Sequence, residues 1–225
     1  ALITGVRAGI PDEVNDALRV TGLYHIISIS GLHMALVGGT VLLAMRAAFA
    51  VAPGFAMRHP VKKYAAGVAL AAAGFYLVLS GAEVAAQRSF IMLAVMLIAV
   101  MFDRAALTMR NLAISACIII LISPHEVAGP SFQMSFAATA ALIAAYAEWS
   151  RLKERRGPAA TVSKGVLTGV ARKSLAYVAA LAMTSIVAGA ATALFSAWHF
   201  QQVSPLGLAA NLAAMPIVSV VVMPM

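Results

Sequence analysis

Seven apolar stretches, at about 23–52, 64–81, 84–102, 105–123, 131–147, 175–197 and 205–225, take up most of this chain. A helix rises about 1.5 Å per residue, so about 20 apolar residues are needed to cross a hydrocarbon layer of about 30 Å. A helix also satisfies its own backbone hydrogen bonds, which lipid cannot do for it. The pattern predicts an all-α, polytopic integral membrane helical bundle of about seven segments. Composition agrees: 62% of the 225 residues are hydrophobic and 11% are charged. A soluble domain has about 45–50% apolar and about 25% charged residues. Several stretches are short or interrupted, and Ser123-Pro124, Gly129-Pro130, Ser204-Pro205 and Met215-Pro216 punctuate them. Some segments are therefore expected to be broken or re-entrant, which is tolerated only where protein or a water-filled cavity takes up the freed backbone groups. Pro124 and Pro205 suit helix ends, whereas Pro216 lies within an apolar segment and suits a kink. The stretch ahead of the spans, residues 1–21, reads as an amphipathic segment at the membrane surface, with a helix N-terminus near Pro11-Asp12-Glu13.

The formal charge of +8 is unevenly placed. Arg58, Lys62 and Lys63 follow the first segment, and Arg104 and Arg110 follow the third. Arg151, Lys153, Arg155, Arg156, Lys164, Arg172 and Lys173 follow the fifth. The intervening loops are almost free of basic residues. Basic loops stay on the cytoplasmic side, so 53–63, 103–110 and 148–174 are expected there. The N-terminal segment and the loops near Glu83, His125 and His199 are then expected outside. A basic loop at a membrane surface sets topology or meets anionic lipid, and it can also meet nucleic acid. Gly165 to Ser174 lacks the Lys directly after its second Gly that a phosphate loop needs, so no nucleotide motif is present. No cofactor is expected. Cys117 is the single cysteine, which excludes an intrachain disulfide and a zinc–thiolate cluster. The chain begins at Ala1 and ends inside an apolar run at Met225, which reads as a fragment of a longer protein.

Four polar constellations interrupt the apolar background. Gly22 to Val37 carries His25, Ser28, Ser30 and His33, and His25, Ser28 and His33 share one broad helical arc. Polar groups at membrane depth face a protein interior or a water-filled cavity. Gly31 is expected to mark a backbone break, with Ser30 satisfying a donor exposed there and His33 facing the bundle interior. Ser80-Gly81 precedes Glu83, Gln87 and Arg88. An Arg at the mouth of a span needs a carboxylate, a carbonyl or water, and Glu83 is the nearest acid in sequence. Snorkelling to the interface is the alternative. Gln133, Ser135 and Thr139 add hydrogen-bonding groups to the fifth segment, either for interhelical bonding or for a ligand. Asn211, five residues before Pro216, can reach carbonyls freed by a kink or can line a pore.

Together these residues resemble the ComEC competence family, the bacterial inner-membrane channel for DNA uptake. His25 through Ser30-Gly31-Leu32-His33 is similar to that family's His, apolar run, Ser-Gly-Leu-His signature. Ser80-Gly81, Arg88 and Met92 match a second pattern, with Ser89 where the family commonly has Ala. Phe132 to Thr139 matches a third, with Met134 for Leu, and Ser204 to Pro216 matches a fourth. The resemblance implies that residues 22–225 form a transmembrane competence (channel) domain in a bacterial cytoplasmic (inner) membrane, crossed several times. It implies a path for single-stranded DNA during natural transformation. His25, Ser30, His33, Glu83, Arg88, Gln133, Ser135 and Asn211 are then the candidates to line or support that path. Expected partners are single-stranded DNA, the lipid bilayer, a cytoplasmic motor ATPase and DNA-receptor proteins. The pore closes either within one chain or in a homo-oligomer.

No catalytic residue is assigned, and the chain is not expected to be an enzyme. The scattered His25, His33, His59, His125 and His199 hold no clustered metal motif, so no metal is expected and any nuclease resides in a domain outside this chain. Two competing readings use the same polar residues. One is a membrane-embedded enzyme built on His25, His33, Ser30 and Glu83. The eight-residue spacing of the two histidines does not suit the i, i+4 spacing of helical metal ligands. The other is a small-solute transporter, which inverted internal repeats would favour.

Overall fold

The computed structural model describes residues 31–51, 54, 58–155 and 166–201, with backbone alone for 166–175. Six α-helices occur among these residues: α1 (Gly31–Ala50), α2 (Val61–Leu79), α3 (Val84–Met101), α4 (Met109–Ile122), α5 (Pro130–Arg155) and α6 (Val166–Phe200), with a 3₁₀ turn at Pro124–Ala128. No strand occurs among them. Gly31–Ala50, Val61–Leu79, Val84–Met101 and Ala176–Phe200 are each long and apolar enough to cross a membrane. The protein is an all-α membrane bundle, as the apolar periodicity predicts. Its described helices number six rather than seven, because the stretch 205–225 lies outside the described residues.

The chain divides into two compact units, Ala1–Val127 and Ala128–Met225. In the first, α1, α2 and α3 pack against one another and α4 packs on α3. Small residues allow this. Ala65, Ala69 and Ala73 recur at every fourth position of α2 and are fully buried together with Ala66, so the backbones approach closely. A Cβ on Gly38 of α1 would sit 2.8 Å from Leu93 Cδ2 of α3. The paired positions Gly31 with Ser89 and Gly38 with Leu93 show that α1 and α3 run parallel. Gly74 with Phe90 and Gly67 with Met101 show α2 antiparallel to α3. Met34 and Ala86 form one buried cluster with Tyr76, Leu77, Phe90 and Leu93 around it. Ala66, Ala69 and Leu97 form the next, nearer the other end.

The helix ends follow local chemistry. After α2, Ala82 N–H donates to Leu77 O at 3.1 Å and Gly81 N–H to Val78 O at 3.2 Å. This is a Schellman closure. Gly81 has φ of 74° and Ala82 φ of 50°, a left-handed pair in which Gly carries no steric cost and Ala does. The same closure ends α3, with Arg104 N–H donating to Ala99 O at 2.8 Å and Asp103 N–H to Val100 O at 3.1 Å. Asp103 has φ of 56°. Its carboxylate pairs with Lys63 Nζ at 2.6 Å, tying that end of α3 to the start of α2. Thr108 caps α4 by accepting Asn111 N–H at 3.2 Å, so this helix starts at Met109 rather than near 105. Buried Asn111 donates to Ala105 O and Ala106 O, at 2.9 and 2.7 Å, and secures the loop before it. Pro130 is the first residue of α5, where its missing N–H costs nothing.

In the second unit α5 packs against α6. Helix α5 continues to Arg155 and α6 starts at Val166, so Arg151, Lys153 and Arg155 are helical rather than in a loop spanning 148–174. The run Glu148, Arg151, Lys153, Glu154 and Arg155 favours this, because side chains of opposite sign three or four apart support a helix. Arg151 Nη1 lies 3.6 Å from Glu148 Oε2.

Candidate functional site

In the first unit the polar side chains gather at the end where α1 meets Ser89. His33 is 5% exposed and Arg88 8% exposed, each inside an otherwise apolar bundle. The sequence expectation that His33 faces the interior matches this placement. Arg88 lies in the second turn of α3, whose N-cap residue is Glu83. Two neighbours pin the link into this helix: Gln87 Nε2 donates to Ala82 O at 2.7 Å, and Ser80 Oγ donates to Leu77 O at 2.8 Å. Ser89 Oγ donates to Ala85 O at 2.8 Å, within its own helix.

A guanidinium carries five donors and no acceptor. Among the described residues, Arg88 Nη1 is buried without a hydrogen-bond partner. Glu126 lies on the 3₁₀ turn after α4. Glu126 makes no ion pair with Arg88 among the described residues. Its Oε1 lies 3.6 Å from His125 Nε2 instead. Snorkelling of Arg88 to an interface does not fit a side chain this buried.

The second unit holds a separate polar pair. Gln133 Oε1 accepts from His199 Nε2 at 2.8 Å, so the start of α5 is hydrogen-bonded to the end of α6. Phe132 is buried and stacks on Phe136, ring centroids 4.3 Å apart. Ser135 enters through its backbone: its carbonyl accepts from Thr139 Oγ1 at 2.8 Å. That is the intrahelical hydroxyl bond common where Thr sits mid-helix.

The candidates therefore fall into two groups, one in each unit. His33, Glu83 and Arg88 share the first, and Gln133 and Ser135 share the second. His25, Ser30, Asn211 and Pro216 lie outside the described residues, as does the 22–30 stretch on which a break at Gly31 depends. Sequence reasoning missed the Glu126–His125 pair on the turn after α4 and His199 as the partner of Gln133. Gln133 and His199 lie far apart in the chain. The available signal was scarcity: with only eight acids in 225 residues, a Glu beside a His in a short loop between apolar segments has few neutral explanations. Among the described residues no three His, Cys, Asp or Glu side chains come together as a metal site would require.

The family model described as Competence protein matches residues 2–225. This chain belongs to that family. It is 35% identical over 187 residues to Competence protein ComA of Neisseria gonorrhoeae, a match covering 80% of this chain and 26% of that protein. It is 23% identical over 225 residues to ComE operon protein 3 of Bacillus subtilis (strain 168), covering 100% of this chain and 25% of that protein. The chain thus spans about a quarter of the length of these curated relatives. No solved structure matches. The family read from four short motifs is the family found across the whole chain.

Proposed function

We propose that this chain is the membrane core through which single-stranded DNA crosses the cytoplasmic membrane during natural transformation. Family membership supports the process, and Arg88 supports the physical role. A buried guanidinium with an open donor, at one end of a helix bundle in the membrane, suits a passing phosphate. A path for a polyanion must replace water at each phosphate without holding it so tightly that transit stops. One cation among polar side chains such as His33 meets that demand better than a cluster of cations. No catalytic step is assigned to this chain. Any nuclease chemistry belongs to another part of the longer protein or to a partner.

Inward movement of a phosphate against an inside-negative potential costs about 2.3 kcal/mol per charge for each 100 mV. The chain carries no nucleotide-binding motif to meet that cost. A cytoplasmic motor ATPase on one side and a DNA receptor on the other complete the reading. The chain crosses the inner membrane several times, with its basic loops in the cytoplasm.

Arg88→Ala in the full-length protein tests the reading. A charge-assisted hydrogen bond contributes roughly 1.5–3 kcal/mol, so uptake of labelled DNA should fall about ten-fold or more at unchanged protein abundance. Arg88→Lys should recover part of the loss, because charge survives without the planar fork. Normal transformation by the Ala variant would take Arg88 out of the path.

A further inference from the structure

Basic side chains from the ends of α1, α2, α3 and α4 gather at one end of the first unit. Val41 and Leu42 of α1 pack with Ala66, Ala69 and Leu97. Arg46 stands one helical turn beyond that level, and so does Lys62 on antiparallel α2. Lys63 pairs with Asp103 just past the end of α3, which puts Arg104 at the same end. Asn111 Nδ2 donates to Ala105 O and Ala106 O, so the chain between Arg104 and Arg110 is folded against the start of α4. Arg46, Lys62, Arg104 and Arg110 are exposed. Among the described residues Asp103 is the only acid at this end, and Lys63 occupies it.

Helix stability does not account for this arrangement. Lys62 and Arg110 each take the second position of a helix whose first turn contains no acid. A helix N-terminus carries partial positive charge, so a cation there is unfavourable and an anion favourable. Exposed Phe102, Leu107 and Met109 are interspersed with Arg104 and Arg110 along the chain. Leu107 and Met109 have no aromatic face on which a nucleic-acid base could stack, whereas apolar surface at the end of a membrane helix suits acyl chains.

We infer that this end of the first unit is a docking surface for anionic phospholipid. Lys62 and Arg110 each take a headgroup phosphate at the start of a helix, Arg46 and Arg104 add charge at the same end, and Phe102, Leu107 and Met109 meet the acyl chains. Basic sites between membrane helices on the cytoplasmic side suit anionic headgroups, and the charge pattern assigns this end to that side. Ammonium and guanidinium groups donate to phosphate oxygens in charge-assisted hydrogen bonds, which are the strong ones. A zwitterionic headgroup brings its own ammonium, which these cations repel. The surface is separate from Arg88, which lies near the opposite end of α3, and it does not depend on what crosses the bundle.

The test titrates the full-length protein in lauryl maltoside with a short-chain fluorescent phosphatidylglycerol and, separately, with phosphatidylcholine of the same chains. Phosphatidylglycerol should bind about five-fold or more tighter, the effect of roughly one basic residue at an anionic membrane surface. Lys62→Gln combined with Arg110→Gln should abolish that preference and leave phosphatidylcholine binding unchanged. Cations that only set topology give no preference, so equal binding of the two lipids by the native protein would overturn the inference. A preference that survives the double substitution would place the anionic-lipid site elsewhere in the longer protein and overturn it too. If the double variant does not elute as a single species, the two substitutions are measured singly, and each should lower the preference; no change in either overturns the inference. Competition separates the sources of phosphate. Glycerol 3-phosphate, which lacks acyl chains, should displace the lipid far more weakly than unlabelled phosphatidylglycerol does. An oligothymidylate that displaces it more strongly would assign the surface to nucleic acid and overturn the inference.

Discussion

At the scale of single residues, the informative side chains are those that find partners far away in the chain. Gln133 and His199 are joined at 2.8 Å between the start of α5 and the end of α6. Hydrogen bonds between helices in a membrane average about 0.6 kcal/mol in double-mutant cycles, because the unfolded helices also find partners. A cycle of Gln133→Ala and His199→Ala, read by unfolding in mixed micelles, should therefore give a coupling of about 0.6 kcal/mol. Additive losses would show that the pair does not bind α5 to α6. The composition made His33 and Arg88 conspicuous, since a polar group in an apolar run must face something other than lipid. It could not show that His199 meets Gln133. That depends on how helices pack, and periodicity along one helix carries no record of its neighbour.

At the scale of elements, helix positions were legible and helix ends less so. Apolar stretches gave α2 and α3 within a few residues, whereas α5 runs eight residues further than the stretch 131–147 and α6 starts nine residues before 175. The end of α5 was misplaced because basic residues were read as a loop, although alternating charges on successive turns stabilise a helix. The Schellman closure at Asp103 was not foreseen, since the residue in left-handed backbone there is not the usual Gly, whereas the first closure has Gly81 in that position and a left-handed Ala82 after it. At Asp103 an ion pair accompanies the closure, and the Lys63 ammonium holds its carboxyl below the usual carboxylate range. A depressed pKa stabilises the folded state above the ordinary carboxylate value, and that stabilisation is lost as pH falls through the lowered value. The pair is open to solvent, so salt screens it. Asp103→Asn keeps a side chain at ease in left-handed backbone and removes only the charge. Its thermal stability should fall slightly below that of the native chain near neutral pH. The two should converge well below pH of about 3.9, or at neutral pH in high salt. A gap that persists at low pH would assign it to something other than the carboxylate charge.

At the scale of the whole molecule, the helix directions put the basic residues around Lys63 and Arg104 at one end of the first unit, and the charge pattern assigns that end to the cytoplasm. Lys63 and Asp103 meet at that end, whereas Arg88, near the start of α3, and Glu126, after the end of α4, lie away from it. A single cysteine at exposed Arg104 should be shielded from a membrane-impermeant maleimide in intact cells, and one at exposed His125 should react. Cys117 is itself exposed and is first replaced by Ser. Labelling of the Arg104 site from outside would invert the assignment. One feature of α4 bears on the bilayer itself. Its 14 residues rise about 21 Å, well short of a hydrocarbon layer of about 30 Å. Exposed Leu121 and Ile122 lie at its far end, beside the turn that carries Glu126. A short apolar helix draws the lipid surface inward around itself, at a fraction of a kcal/mol per ångström. On the proposed DNA path, such a dent would bring headgroups and water toward Arg88 and shorten the stretch of low dielectric that a phosphate crosses. The thickness of the host membrane would then enter the energetics of crossing, set by lipid chain length as much as by the protein.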